Sequence, residues 1–171
     1  GNDSIDLRWV YTFYELNCAD DAYSSVAVGD IDGDGNQEIL ALVDTSPGVI
    51  GQDALQIFEW NPDSMSFLSE PTYTWDMGLD AVWEAGQILV DDVDGDGNQE
   101  ILVSIMNGPS WADMSTGGSS QLIIFEFESA TGGQAVFNIE YEDNIWTNWS
   151  GYNISTGDLD GDGFIEIYTV A

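Results

Sequence analysis

The sequence contains one acidic segment three times, and this repetition constrains the fold more than any other feature. Nine-residue segments with the pattern D-x-D-G-D-G-x-x-E begin at Asp30, Asp92 and Asp158, which lie 62 and 66 residues apart. Apolar residues flank each copy, and the run DGDGNQEIL is identical in the first two copies. Such internal repetition is typical of proteins built from stacked copies of one small structural unit.

Short strands are predicted on both sides of each acidic segment. In the first unit, β-branched and aliphatic residues next to turn residues predict strands at 26–29, 38–43, 54–60 and 73–75. The corresponding strands of the second unit are predicted at 88–90, 100–105, 121–128 and 135–142. No stretch of ten or more residues shows a helical period. Four short strands per unit predict an all-β fold of repeated four-stranded, β-propeller-type blades rather than a sandwich.

The carboxylates of each segment have the spacing of a calcium loop, at positions 1, 3, 5 and 9. Ca²⁺ takes six to eight oxygen ligands at roughly 2.3–2.6 Å, whereas Mg²⁺ prefers a tight octahedron with retained water. Zinc is disfavoured because the chain has no His and one Cys. Gly35, at position 6, permits the positive φ that folds the loop back and turns the carbonyl of position 7 toward the ion. The predicted ligands of three Ca²⁺ sites are Asp30, Asp32, Asp34, Asn36 and Glu38; Asp92, Asp94, Asp96, Asn98 and Glu100; and Asp158, Asp160, Asp162, Phe164 and Glu166.

These segments resemble the calcium loops of the FG-GAP and VCBS repeats, the blade units of integrin-α-type β-propellers. Gly29 and Gly157 match the small residue that commonly precedes the first aspartate, whereas Asp91 departs from it in the second copy. The resemblance implies that each loop joins the first two strands of a blade and that its ion is mostly structural. An EF-hand is disfavoured because its bidentate Glu stands at position 12 and helices flank its loop.

The resemblance also implies a division of the chain into units. Residues 1–22 hold the last strand of a preceding blade, around 7–15, and a linker; 23–80 form one blade, 81–146 a second, and 147–171 the first half of a third. A propeller needs four to eight blades, so this array is incomplete by itself. Either the chain is an excerpt of a longer polypeptide, or copies complete one another's broken blades in a ring or filament.

The charge balance excludes some classes of partner. The chain has 32 acidic residues against one basic residue, Arg8, and nucleic acids and anionic membranes both require Lys and Arg. No apolar stretch of about 18 residues is present, so membrane insertion is not expected. The excess acid is equally compatible with a solvated surface in salty surroundings. Together with the calcium loops, Asn-x-Ser sequons at Asn2, Asn148 and Asn153 favour an extracellular or cell-surface location.

The function that these features favour is a non-catalytic extracellular module for adhesion, ligand binding or surface structure. The lack of His and Lys removes several usual general bases and nucleophiles, and Cys18 cannot form an internal disulfide. A protein or carbohydrate ligand would be contacted by aromatic residues near loops, of which the candidates are Trp111, Trp146 and Trp149.

Two alternatives stay open. One is a subunit of a calcium-dependent extracellular filament, completed by strand exchange between copies. The other is a portion of a polysaccharide-active enzyme, which needs two carboxyl groups about 5–10 Å apart across a cleft. The carboxyl pairs considered for this chemistry are Asp20 with Asp21 and Glu140 with Glu142.

Overall fold

A computed structural model of the protein describes residues 25–44, 53–67, 71–76, 82–107, 119–131, 134–145 and 153–169. Within these ranges all regular secondary structure is β, with twelve strands and no helix, so the all-β prediction is confirmed. None of these residues forms a helix of the length and apolar character that a membrane span requires. The strands are β1 (Ser25–Gly29), β2 (Glu38–Asp44), β3 (Asp53–Phe58), β4 (Trp60–Asn61), β5 (Ser66–Phe67), β6 (Tyr73–Asp76), β7 (Val82–Asp91), β8 (Glu100–Asn107), β9 (Ser119–Thr131), β10 (Gln134–Ile145), β11 (Ile154–Gly157) and β12 (Glu166–Thr169).

The strands form two four-stranded antiparallel sheets and two hairpins. The first sheet has the order β1-β2-β3-β6, and the second has the order β7-β8-β9-β10. β11 pairs with β12, and the short hairpin β4–β5 lies between β3 and β6 in the chain. Neighbouring strands in the chain are therefore neighbours in the sheets, apart from the β4–β5 excursion.

The β4–β5 hairpin was not predicted from the sequence. Its turn is polar, and the side-chain oxygen of Asn61 accepts hydrogen bonds from the N–H groups of Asp63 (2.9 Å) and Ser64 (3.2 Å). Met65 completes the reversal with a positive φ of 51°. These are local side-chain contacts in a segment without period-2 alternation, so the hydrophobic pattern carried no signal for it.

The two four-stranded sheets pack face to face around one apolar core. Leu40, Leu55 and Ile57 of the first sheet meet Ile101 and Phe125 of the second in this core. Trp75 of β6 reaches the same core, with its ring centroid 4.5 Å from that of Phe125 in an edge-to-face arrangement. Aromatic pairs at such distances contribute about 0.5–1.5 kcal/mol beyond their buried area.

The opposite face of the second sheet also carries a core. Leu102, Leu122 and Ile124 pack there against Ile154 of β11. Because side chains alternate along a strand, Ile101 and Leu102 point to opposite faces, and both are fully buried. The second sheet is therefore covered on both faces, which explains the nearly continuous apolar runs in β8 and β9.

Side chains also bridge the units at two equivalent positions. The hydroxyl of Ser25 accepts a hydrogen bond from the Ile88 N–H at 3.0 Å, and the side-chain carbonyl of Gln87 accepts one from the Ile154 N–H at 2.8 Å. Ser25 and Gln87 each lie five residues before the first aspartate of their acidic segment. The same position thus binds the backbone of the next unit twice along the chain.

Some predicted features lie outside the described residues, and the unit boundaries at 22, 80 and 146 remain predictions. Asn153 is described and is exposed. The features outside the description are the strand at 7–15, the pair Asp20 and Asp21, Cys18, the tryptophans Trp111, Trp146 and Trp149, and the sequons at Asn2 and Asn148.

Candidate metal centres

Each acidic segment forms the tight connection between two paired strands. The segments join β1 to β2, β7 to β8 and β11 to β12, and the closing glutamate is in each case the first residue of the second strand. The chain reverses through two glycines with positive φ, which in the first segment are Gly33 (71°) and Gly35 (90°). The positive φ predicted for Gly35 is confirmed, and non-glycine residues would be strained there.

The three loops share one set of side-chain to backbone hydrogen bonds. The first aspartate accepts the N–H of the sixth residue at 3.0–3.1 Å, and the third residue accepts the N–H of the fifth at 3.0–3.1 Å. The fifth accepts the N–H of the seventh at 2.7–2.9 Å, and the closing glutamate accepts the N–H of the second at 2.8–2.9 Å. All four carboxylates are thus held toward the inside of their own loop.

In the third loop all four predicted carboxylates meet. Asp158, Asp160, Asp162 and Glu166 each offer one oxygen, and these oxygens all lie within 4.8 Å of one another. Two oxygens that share one calcium ion are separated by at most about twice the metal–oxygen distance of ~2.4 Å. The third loop therefore has the spacing that a single hard cation requires.

The second loop brings together fewer of its predicted ligands. Asp92, Asp94 and Asp96 form a group by the same distance criterion, and Glu100 is not part of it. Glu100 nevertheless accepts the N–H of Val93, as the closing glutamates of the other loops do at their second residues.

The first loop has two overlapping groups of carboxylates. Asp30, Asp32 and Glu38 form one group, and Asp32, Asp34 and Glu59 form another. Four of these five were predicted as ligands, and Glu59, which follows β3 directly, was not. The sequence does hold one signal for it, since the tripeptide Ile-Phe-Glu occurs both at 57–59 and at 124–126.

The closing glutamates of the first two loops are buried, and their environment opposes ionisation. The pKa of Glu38 is raised to about 8, mainly by burial. The hydrogen bond from the Ile31 N–H lowers this pKa, and the neighbouring Glu59 carboxylate raises it further. Burial also raises the pKa of Glu100 to about 7. A buried carboxylate among other carboxylates is costly in its charged form, so it favours either a proton or a cation.

That the backbone carbonyl oxygen of position 7 is a metal ligand in each loop remains a prediction. The structure shows the side chains of these residues: the Asn36 amide donates to Asp34 at 2.9 Å, and Phe164 is 66% exposed. Exposure of an aromatic ring at this position agrees with the idea that only its backbone is needed.

Glu140 and Glu142, a candidate catalytic pair in the sequence, contact different partners. Glu140 lies at an irregularity of the β9–β10 register and faces the Glu126 carboxyl. The pKa of Glu140 is raised, mainly by burial and to a smaller extent by the Glu126 charge. Glu142 accepts a hydrogen bond from the Gln121 amide.

The donor set fits a hard cation. The side chains that meet in these groups are all carboxylates, the ligand type that calcium prefers. Asp30 Oδ1 and Glu38 Oε1 are buried and receive no hydrogen bond from any described residue, although buried polar atoms are nearly always partnered. Two unpartnered buried oxygens in one acidic group are accounted for when a cation lies between them.

No protein-family model matches the chain, and no curated protein matches it.

Proposed function

We propose that the chain is a calcium-stabilised, non-catalytic module of β-propeller-type repeats that serves in adhesion, ligand binding or surface structure outside the cell. One observation carries the proposal: three loops with four acids each adopt the same hydrogen-bonded conformation, and the closing glutamate is buried in two of them. The resemblance of the motif to FG-GAP and VCBS loops supports the same proposal.

Calcium is favoured by charge and by geometry. Four carboxylates within nine residues repel one another, and the repulsion is strongest where burial lowers the local dielectric, as at Glu38. A divalent cation offsets this repulsion and partners the oxygens that the backbone N–H groups leave free. A group of carboxylates in a loop that is folded by glycines rather than flanked by helices is suited to the flexible coordination of Ca²⁺.

The arrangement of the sheets supports the blade interpretation. Two four-stranded antiparallel sheets stack face to face, and the next hairpin covers the far side of the second sheet. The backbone hydrogen bonds that the Ser25 and Gln87 side chains accept join successive units at equivalent positions. Stacking of similar units, each burying its neighbour's face, is the principle of repeat proteins and propellers.

In this proposal the ions stabilise the units rather than perform chemistry. Each loop joins the first two strands of its unit, and its closing glutamate belongs to the second strand. A bound cation therefore ties the end of one strand to the beginning of the next. Binding is coupled to folding because the unfolded chain does not hold the four carboxylates together.

A thermal melt in excess calcium and in a strong chelator tests the proposal. Ligand at 100 times its dissociation constant adds about 2.7 kcal/mol per site, and 1 kcal/mol shifts the Tm of such a domain by about 2–4 °C. Three such sites correspond to a Tm difference on the order of 20 °C. Each of Asp32→Asn, Asp94→Asn and Asp160→Asn is expected to reduce this difference.

The control variant is Asp63→Asn, in the exposed turn of the β4–β5 hairpin. It removes one negative charge without touching an acidic loop, so the calcium-dependent gain in Tm is expected to stay as in the unaltered chain. Identical melts with calcium and with chelator would contradict the proposal.

A further inference from the structure

The three copies of the acidic segment differ in chemical character at only three positions. With the residue that precedes the first aspartate included, the copies read GDIDGDGNQE, DDVDGDGNQE and GDLDGDGFIE. Position 2 is aliphatic in every copy. The other differences are Asp91, where the first and third copies have glycine, and Phe164 and Ile165, where the first and second copies have Asn-Gln. None of these three side chains is a predicted ligand of a loop ion.

All three of these residues line one groove between the second and third loops. The groove has a volume of about 290 Å³, and Val93 and the two glycines Gly95 and Gly163 also line it. Ligand pockets have volumes of about 300–1,000 Å³, so this groove is suited to a single side chain rather than to a larger molecule. The differences between the copies, which come from two separate units, therefore meet at one place.

The corresponding place between the first and second units is occupied by a side chain of the second unit. There Gln99 accepts the Asp30 N–H at 2.7 Å. Between the second and third units this contact cannot form, because Ile165 stands at the position of Gln99 and has no acceptor. Asp91 Oδ1 accepts the Asp92 N–H at 3.1 Å instead. The replacements thus satisfy the same backbone donor from within its own loop, and no side chain of the third unit has to fill the groove.

The groove combines a carboxylate with apolar surface. Among the described residues, the second carboxylate oxygen of Asp91 receives no hydrogen bond, and the Phe164 side chain is 66% exposed. Val93 and Ile165 are half-buried and add aliphatic surface. A guanidinium group pairs with carboxylates and stacks on aromatic rings, and its methylene stem covers apolar surface. The lining of the groove is therefore suited to an arginine side chain.

The charge around the groove favours a cation over a neutral ligand. The chain has 32 acidic residues and one basic residue. Each of the two loops beside the groove has four acidic residues, so a single divalent ion in each leaves both loops negative. A surface of one sign raises the local concentration of groups of the opposite sign. A neutral sugar would gain nothing from this field.

We propose that the groove between the second and third loops binds an arginine side chain from a basic segment of a partner protein. The inference rests on the proposed function, because it names the class of ligand that this module binds. The Asp91 carboxylate pairs with the guanidinium group, and the Phe164 ring stacks on it. Arginine is favoured over lysine because its planar group makes both contacts at once.

The test is an NMR titration of the ¹⁵N-labelled chain in excess calcium with the peptide Gly-Gly-Arg-Gly-Gly, blocked at both ends. The solution contains about 0.15 M NaCl, which screens diffuse binding to surface charge. The peptide is expected to shift the amide signals of groove residues, including Gly95 and Gly163. A second peptide with citrulline, the neutral analogue of arginine, is expected to bind about tenfold more weakly, because it lacks the charge.

Three variants locate the binding. Asp91→Asn keeps an oxygen for the Asp92 N–H but removes the charge, and it is expected to weaken binding about tenfold. Phe164→Asn restores the residue of the other two copies and removes the ring, and it is expected to weaken binding about two- to fivefold. Asp63→Asn removes one charge outside the groove and is expected to leave binding unchanged. The calcium-dependent gain in Tm is expected in all three, which checks that they fold.

Each outcome supports or overturns the proposed site. Binding of the arginine peptide that is weakened by Asp91→Asn and by Phe164→Asn, but not by Asp63→Asn, supports it. No binding, or equal binding of the arginine and citrulline peptides, overturns it. Equal weakening by Asp63→Asn and Asp91→Asn overturns it as well, since it indicates diffuse attraction to the acidic surface.

Two further results separate this inference from its rivals. Methyl glucoside that shifts the groove signals when the arginine peptide does not would overturn the proposal and assign the groove to a sugar. Failure of the groove to bind leaves the calcium-dependent gain in Tm unchanged, so the proposed function stands. A melt that does not respond to calcium overturns the proposed function itself.

Discussion

Gly29 offers a test of the packing between the first two units that does not depend on calcium. It is the last residue of β1, immediately before the first acidic loop, and it is buried. A Cβ at this position would lie 2.9 Å from the Cβ of Val90 and 2.8 Å from the side-chain oxygen of Gln99, and would overlap a methyl group of Val90. Both neighbours belong to the second unit, so Gly29→Ala forces the units apart.

The expected cost is the sum of two effects. Overpacking of a well-filled interior costs typically about 1–3 kcal/mol. Displacement of Gln99 also weakens its hydrogen bond to the Asp30 N–H, now 2.7 Å, which contributes about 1 kcal/mol. The lower backbone entropy of alanine in the unfolded chain offsets roughly 0.5–1 kcal/mol. The net loss in the free energy of unfolding is about 2 kcal/mol.

Gly157 is the matched control, since it precedes the third acidic loop in the same way. A Cβ there meets no described atom within 4 Å. Urea unfolding in excess calcium is expected to show a lower midpoint for Gly29→Ala and little change for Gly157→Ala. Equal midpoints for the two variants, or an unchanged Gly29→Ala, would refute the reasoning about contact between the units.

Three further predictions concern protons, an inter-unit hydrogen bond and the core. In chelator, the free energy of unfolding is expected to fall as pH rises from about 5 to 8. The reason is that the folded chain holds protons on Glu38 (pKa about 8) and Glu100 (pKa about 7), which the unfolded chain releases near pH 4.5. Urea midpoints measured across this pH range test the expectation, and Glu38→Gln is expected to make the midpoint less dependent on pH. Gln87→Ala removes the acceptor of the Ile154 N–H and is expected to cost about 1–2 kcal/mol in urea unfolding. Phe125→Ala empties a fully buried site and is expected to cost about 3–5 kcal/mol by the same measurement.

The sign of the pH effect follows from the direction of the pKa shifts. A carboxyl whose pKa is raised on folding stabilises the folded state fully at pH values below its ordinary pKa of 4.5. This stabilisation is lost as the pH rises through the folded-state pKa. Excess calcium is expected to reduce the dependence, because an ion takes the place of the proton. Stability that rose with pH in chelator would contradict the environment described for Glu38.

The sequence by itself determined the features that depend on short spacing. Carboxylates at fixed positions within nine residues, with glycine at position 6, predicted a tight reversal, and the structure shows it with a positive φ at Gly35. Apolar runs next to the acidic segments predicted strands, and β2 and β8 begin at the closing glutamates Glu38 and Glu100. These features are local, so neighbouring residues are enough to specify them.

Only the tertiary structure decided which residues meet from distant parts of the chain. The contact of Glu59 with Glu38 depends on the β2–β3 register, and that of Gln99 with Asp30 depends on how two units stack. Neither register nor stacking is encoded in the spacing within a loop, because both result from burial of apolar faces such as those of Leu40 and Ile101 in the shared core. The motif therefore predicts three similar loops, whereas the tertiary structure places a glutamate opposite the closing glutamate in two of them, and only Glu59 joins the carboxylate groups among the described residues.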